Sequence, residues 1–109
     1  MHGTFTTRNG YGLYMTGKSY TNLDKLNFLR YNYGIYYYSS SNNNTITSAT
    51  CNSNGTYGIS YSSSNNNTIT SATCNSNNNY GITYSNNSSN NNITSATCNS
   101  NGAYGISYN

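Results

Sequence analysis

The sequence predicts an all-β solenoid: a parallel β-helix with three short strands per coil and about 23–24 residues per coil. Three observations predict it. Residues 45–54 return unchanged as residues 68–77 and, with only Asn92 differing, as residues 92–101. A second block, Tyr-Gly-Ile, begins at Tyr33, Tyr57, Tyr80 and Tyr104, so its tyrosines stand 24, 23 and 24 residues apart. Between these blocks the apolar residues sit at fixed places, and polar residues alternate with them as strands require. A fixed period of this size marks stacked repeats, each too small to bury its apolar side alone. Leucine-rich repeats need more leucines per period, and propeller blades need about 40 residues.

Residues 1–10 read as a partial N-terminal coil. Phe5 precedes Tyr11 by the same six residues that separate Cys51 from Tyr57, Cys74 from Tyr80 and Cys98 from Tyr104, so phenylalanine takes the cysteine slot. Residues 11–32 are a diverged first coil. Leu23, Leu26 and Phe28 there keep the spacing of Ile46, Ala49 and Cys51. Residues 33–109 are near-identical repeats, the last coil truncated after Tyr-Gly-Ile-Ser-Tyr-Asn.

Each repeat divides into three strands. Ile35 and Tyr37 point inward on the first, Ile46 on the second, Ala49 and Cys51 on the third. The corners fall in residues 39–44 and 52–56, where Asn and Gly supply the left-handed backbone that corners require. The chain has no proline, which suits strands whose every N–H must find a partner. Coils stacked at about 4.8 Å put identical residues above one another, so Asn amides bond along a column and aromatic rings stack. The column Tyr37, Tyr61, Tyr84 and Tyr108 reads as partly buried, with its hydroxyls reaching solvent at a corner.

Composition narrows the function. Hydrophobic residues make up 33% of the chain, below the usual share of about 45–50%, and charged residues only 5%. Every charged residue lies in the first thirty: Arg8, Lys18, Asp24, Lys25 and Arg30. Asp24 alone cannot form the carboxylate pair of glycoside hydrolysis or a carboxylate calcium cage, so a non-enzymatic protein is expected, with no cofactor. Asp24 and Lys25 replace Thr47 and Ser48 of later repeats and should be solvated. A net charge of +3 without a basic stripe beyond the first coil argues against nucleic acid. No apolar run is long enough for membrane insertion, and no signal peptide is visible.

Two rows remain as binding candidates. Tyr14 and Tyr36 share an outward position that Ser60, Thr83 and Ser107 continue. Exposed rings there can stack on sugar faces, so they are the candidate carbohydrate-binding residues and a polysaccharide or glycan the candidate partner. Thr45, Thr47, Thr68, Thr70 and Thr94 form an outward hydroxyl array, interrupted by Asn92, that resembles ice-binding surfaces on other solenoids.

The strings Asn-Asn-Thr-Ile-Thr (residues 43–47), Asn-Ser-Asn-Gly (52–55) and Tyr-Gly-Ile-Ser-Tyr (57–61) resemble the repeats of right-handed parallel β-helix proteins. The likeness covers residues 11–109. It is nearest to NosD-like proteins, labelled periplasmic copper-binding, within the pectate lyase-like superfamily. The resemblance implies a right-handed coil and a structural scaffold in an extracellular or cell-surface protein, with weak carbohydrate binding. The NosD label implies an alternative, copper handling, for which Cys51, Cys74 and Cys98 are the available thiolates. The residues favour an apolar ladder of free thiols instead: no Cys-x-x-Cys is present, and the same slot holds Phe5 and Phe28. Neither end carries an evident polar cap, so the sequence reads as a piece of a longer repeat protein or as a unit that self-associates head to tail into filaments.

Overall fold

The computed structural model describes residues 3–6 and 10–108. The chain winds through three parallel sheets, one after another, and each strand pairs in register with its counterpart one coil away. The long sheet holds β2 (Tyr11–Thr16), β5 (Tyr33–Tyr38), β8 (Tyr57–Ser62), β10 (Tyr80–Ser85) and β12 (Tyr104–Tyr108). The threonine sheet holds β3 (Asn22–Asp24), β6 (Thr45–Thr47), β9 (Thr68–Thr70) and β11 (Asn92–Thr94). The short sheet holds β1 (Gly3–Thr6), β4 (Leu26–Leu29) and β7 (Thr50–Asn52), and thins in later coils to single bridges from Thr50 to Thr73 and Thr73 to Thr97. Phe5 pairs with Phe28 and Phe28 with Cys51, which places phenylalanine in the cysteine slot as the spacing requires.

The corners differ from expectation in which residues turn the chain. Left-handed backbone recurs in columns: Asn43, Asn66 and Asn90; Ser48, Ser71 and Ser95; Ser53, Ser76 and Ser100. Serine therefore carries most corners, while Gly55 and Gly102 are not left-handed at all. A Cβ on Gly102 would strike the Asn78 carbonyl, so glycine there permits close approach of coils. Ser48 and its equivalents form a one-residue corner between the threonine and short sheets, at φ near 54°. A left-handed L-residue costs roughly 1–2 kcal/mol, and the paired strands on either side hold it in place.

The uneven period has a local cause. Coils 33–56 and 80–103 carry one more residue between the long and threonine sheets than coil 57–79. There two consecutive residues are left-handed, Ser39 with Ser40 and Asn86 with Asn87, where the shorter coil uses Ser63 alone. The added residue is absorbed in the corner and the strands stay in register.

Glycine in Tyr-Gly-Ile faces the interior beside the cysteine column. A Cβ on Gly58 would lie 2.6 Å from the Gly81 carbonyl oxygen and 3.0 Å from that of Cys51. Gly34 and Ile35 are both buried, so two adjacent residues turn inward and the preceding tyrosine is thrown outward. Plain alternation would have put Tyr33 inside with Ile35 and Tyr37.

The interior is a set of columns: Ile35, Ile59 and Ile82; Leu23, Ile46 and Ile69; Phe28, Cys51 and Cys74. Two further columns are amide ladders. The Asn77 side-chain oxygen accepts from the Asn54 N–H at 3.0 Å, and that of Asn101 accepts from the Asn77 N–H at 2.9 Å. Asn67 serves Asn44 likewise at 2.8 Å, and Asn91 serves Asn67. Outside, the direction reverses: the Asn75 N–H donates down to Asn52 at 2.8 Å, and the Asn99 N–H down to Asn75 at 2.7 Å. Each coil is thus tied to its neighbours by side chains pointing both ways along the axis.

The tyrosine column corrects one expectation. Tyr37 and Tyr61 stack at 4.7 Å and 5°, Tyr61 and Tyr84 at 5.1 Å and 12°, and these three are fully buried rather than open at a corner, while Tyr108 at the end of the column is exposed. Tyr37 donates to Thr21, whose own hydroxyl proton goes to Asn44 at 2.6 Å. The hydroxyls of Tyr61 and Tyr84 lie buried with no partner among the described residues. Coil stacking holds the rings so closely that their oxygens cannot swing out to solvent.

Burial pushes the Tyr37 phenol up from 10.0 to about 12, and Tyr61 and Tyr84 rise for the same reason. A raised phenol pKa means that the fold holds the neutral form. Its stabilising contribution is fully present below the unfolded value near 10 and is lost as pH rises through the folded value. Denaturation experiments should therefore show stability flat to about pH 9 and falling from about pH 10 upward. The last rise in tyrosinate absorbance, from the buried column, and loss of β circular dichroism should then appear together. Complete tyrosine ionisation with the β signal intact would refute this account.

Candidate functional site

The aromatic face forms on the outer side of β2 and β5. Tyr14 and Tyr36 are in register on neighbouring strands, and their rings lie 5.6 Å apart. Two tyrosines that the sequence reading left out complete the group. Tyr11 lies 4.9 Å from Tyr14 and 5.0 Å from Tyr33, and Tyr33 lies 5.1 Å from Tyr36. The missed signal is the inward glycine that follows each of them.

The four rings are not equivalent. Tyr36 stacks on Tyr11 at 5.4 Å and 10° and on Tyr33 at 25°, so its faces are used and its edge remains. Burial raises the Tyr36 phenol pKa, and a bond to the Ser62 hydroxyl opposes that. Burial, with the neighbouring Tyr57 and Tyr11 phenols, raises that of Tyr33. Tyr14 is tilted against Tyr11 and Tyr36 by 49° and 52° and is 45% exposed, so it offers an open ring face. Farther up the stack the row does not continue as an open surface. Ser60 and Thr83 are each only 2% exposed, because short side chains there sink between larger neighbours. The column of Tyr57, Tyr80 and Tyr104 stays at the surface, with rings stacked at 5.2 and 5.7 Å.

The cysteines form a column of free thiols, Cys51 and Cys74 buried and Cys98 half-buried. Thiol-to-thiol hydrogen bonding, first to Cys51, pushes the Cys74 pKa well up, and the bond to Cys74 does the same for Cys98. Protonated thiols are poor metal ligands. Among the described residues no three His, Cys, Asp or Glu side chains converge where they would hold a metal ion. His2 and Arg8 lie outside the described residues.

Asp24 is half-buried while Lys18, Lys25 and Arg30 are exposed. Lys25 and Arg30 occupy the corner columns that Ser48 and Ser53 continue, so these two charges stand on corners, while Asp24 lies in the threonine sheet. The threonine sheet presents Thr45 beside Thr68 and Thr47 beside Thr70 in register, bordered by Asn22 and Asp24 below and Asn92 above. No helix among the described residues is long and apolar enough to cross a membrane.

No curated protein and no solved structure matches the chain. One family model does, described as a right handed beta helix region, and it spans residues 3–109. That span takes in all three sheets and every coil described above. The chain belongs to the right-handed β-helix family.

Proposed function

We propose that this chain is a non-catalytic, rigid β-helix segment of a secreted or cell-surface protein, and that its aromatic face makes weak contacts with carbohydrate. The observation that supports the scaffold role most directly is the pair of opposed asparagine ladders, which lock every coil to the next. Side chains that a catalyst would direct at a substrate are here directed at neighbouring coils. The single carboxylate of Asp24 agrees with this reading.

Carbohydrate contact rests on Tyr14 and Tyr36, each with its own part. The open face of Tyr14 stacks on the C–H side of a pyranose, while the edge-on Tyr36 hydroxyl bonds a sugar hydroxyl. Electrophoresis through polysaccharide gels tests this. The protein should be retarded, and Tyr14→Ala should weaken binding about tenfold, as truncating an aromatic anchor does. Tyr36→Phe, which keeps the ring stack, should cost a smaller factor. Unchanged retardation in both variants would remove the carbohydrate reading, and measurable cleavage of the polysaccharide would remove the non-catalytic one.

A further inference from the structure

The tyrosines of the first two coils carry a second inference, independent of any sugar. Four phenols, Tyr11, Tyr14, Tyr33 and Tyr36, lie with ring centroids 4.9 to 5.6 Å apart. Tyr11 and Tyr36 each contact the other three. Tyr11 and Tyr14 are 43% and 45% exposed, so an oxidant reaches them from solvent. By contrast Tyr37, Tyr61 and Tyr84 stack as closely but are sealed inside, and Tyr20, though 82% exposed, has no ring partner among the described residues. Tyr104 and Tyr108, each 61% exposed, meet one ring each, Tyr80 at 5.7 Å and the buried Tyr84 at 5.2 Å, whereas Tyr11 meets two rings of the next coil at 5.0 and 5.4 Å, so proximity and access coincide most fully in this cluster.

We propose that the cluster is a site of oxidative phenol coupling, in which hydrogen peroxide acting through a peroxidase joins Tyr11 or Tyr14 of the first coil to Tyr33 or Tyr36 of the second as dityrosine and staples the two coils. Each of two phenols gives up one electron and one proton. The resulting phenoxyl radicals form a carbon–carbon bond between ring positions next to the oxygens. The two displaced ring hydrogens move to the oxygens and restore both hydroxyls. The two electrons and two protons reduce one hydrogen peroxide to two waters, so the protein loses two hydrogens per staple. The first radical has a partner already in contact, which turns an encounter between molecules into a step within one.

Dilute full-length protein is treated with peroxidase and peroxide and followed by intact mass, dityrosine fluorescence and peptide mapping. The expected product is a monomer lacking two hydrogens, its cross-link joining Tyr11 or Tyr14 to Tyr33 or Tyr36. It should form on the order of a hundredfold faster than in urea-unfolded chain, since only the fold supplies the proximity. Replacing all four tyrosines with phenylalanine should abolish the monomeric product, while Tyr20→Phe should leave it. Cross-links mapped to Tyr20, dimers in place of the stapled monomer, or equal rates in folded and unfolded chain would each overturn the proposal. The comparison of folded with unfolded protein decides the matter even if the fourfold variant does not fold.

Discussion

Tyr61→Ala should cost about 3–5 kcal/mol of folding stability, enough to unfold a marginal domain of this size. The ring is fully buried between Tyr37 and Tyr84, and no neighbour can collapse into the space because each is held by its own coil. Tyr61→Phe should act in the opposite sense. It removes a buried hydroxyl without a partner and should gain about 1 kcal/mol, while Tyr37→Phe should lose a similar amount with the bond to Thr21. Urea denaturation followed by circular dichroism measures all three. If Tyr61→Phe proved as harmful as Tyr37→Phe, the Tyr61 hydroxyl would have a partner, such as a buried water, and the account of the column would fail.

Asn77→Ala should destabilise by about 2–5 kcal/mol. One side-chain oxygen accepts both the N–H and the side-chain amide of Asn54, each at 3.0 Å, and the Asn77 amide donates to Asn101 at 3.0 Å. Removing it leaves buried donors on Asn54 unsatisfied, where water does not reach. The outer ladder supplies the control. Asn75→Ala removes one acceptor, used by the Asn99 N–H, at a half-exposed position, and should cost about 0.5–1.5 kcal/mol. Equal losses for the two variants would show that burial does not set the strength of these ladders.

The columns were legible in the sequence because a repeat writes the same side chain once per coil. Ile46 could be placed inside and Thr45 and Thr47 outside from alternation alone, and the structure has them so. The charge pattern was equally plain. Three features were not legible. The serine corners were hidden because serine has no strong preference for left-handed backbone, and Ser48 turns only because strands on both sides demand it. Tyr33 could not be placed by simple alternation because Gly34 also turns inward, a departure that a period-two pattern cannot express. The sealing of Tyr61 and Tyr84 depends on how tightly neighbouring coils enclose an oxygen, which is a matter of tenths of an ångström. For the aromatic face, Tyr14 and Tyr36 followed from the pattern, but their neighbours Tyr11 and Tyr33 needed the geometry of that glycine.

The paired left-handed residues Ser39–Ser40 and Asn86–Asn87 have a consequence for how such a molecule can change. They are joints that already accept a variable number of residues, while the strands that follow return to the same rung. A loop grafted at Asn86–Asn87 would leave the columns above and below it in step. The corner one strand later, at Lys25, Ser48, Ser71 and Ser95, keeps one length in every coil and shows no such tolerance. Novelty can therefore enter this architecture at a seam of the rod, as side branches on a stem whose growth rings stay fixed.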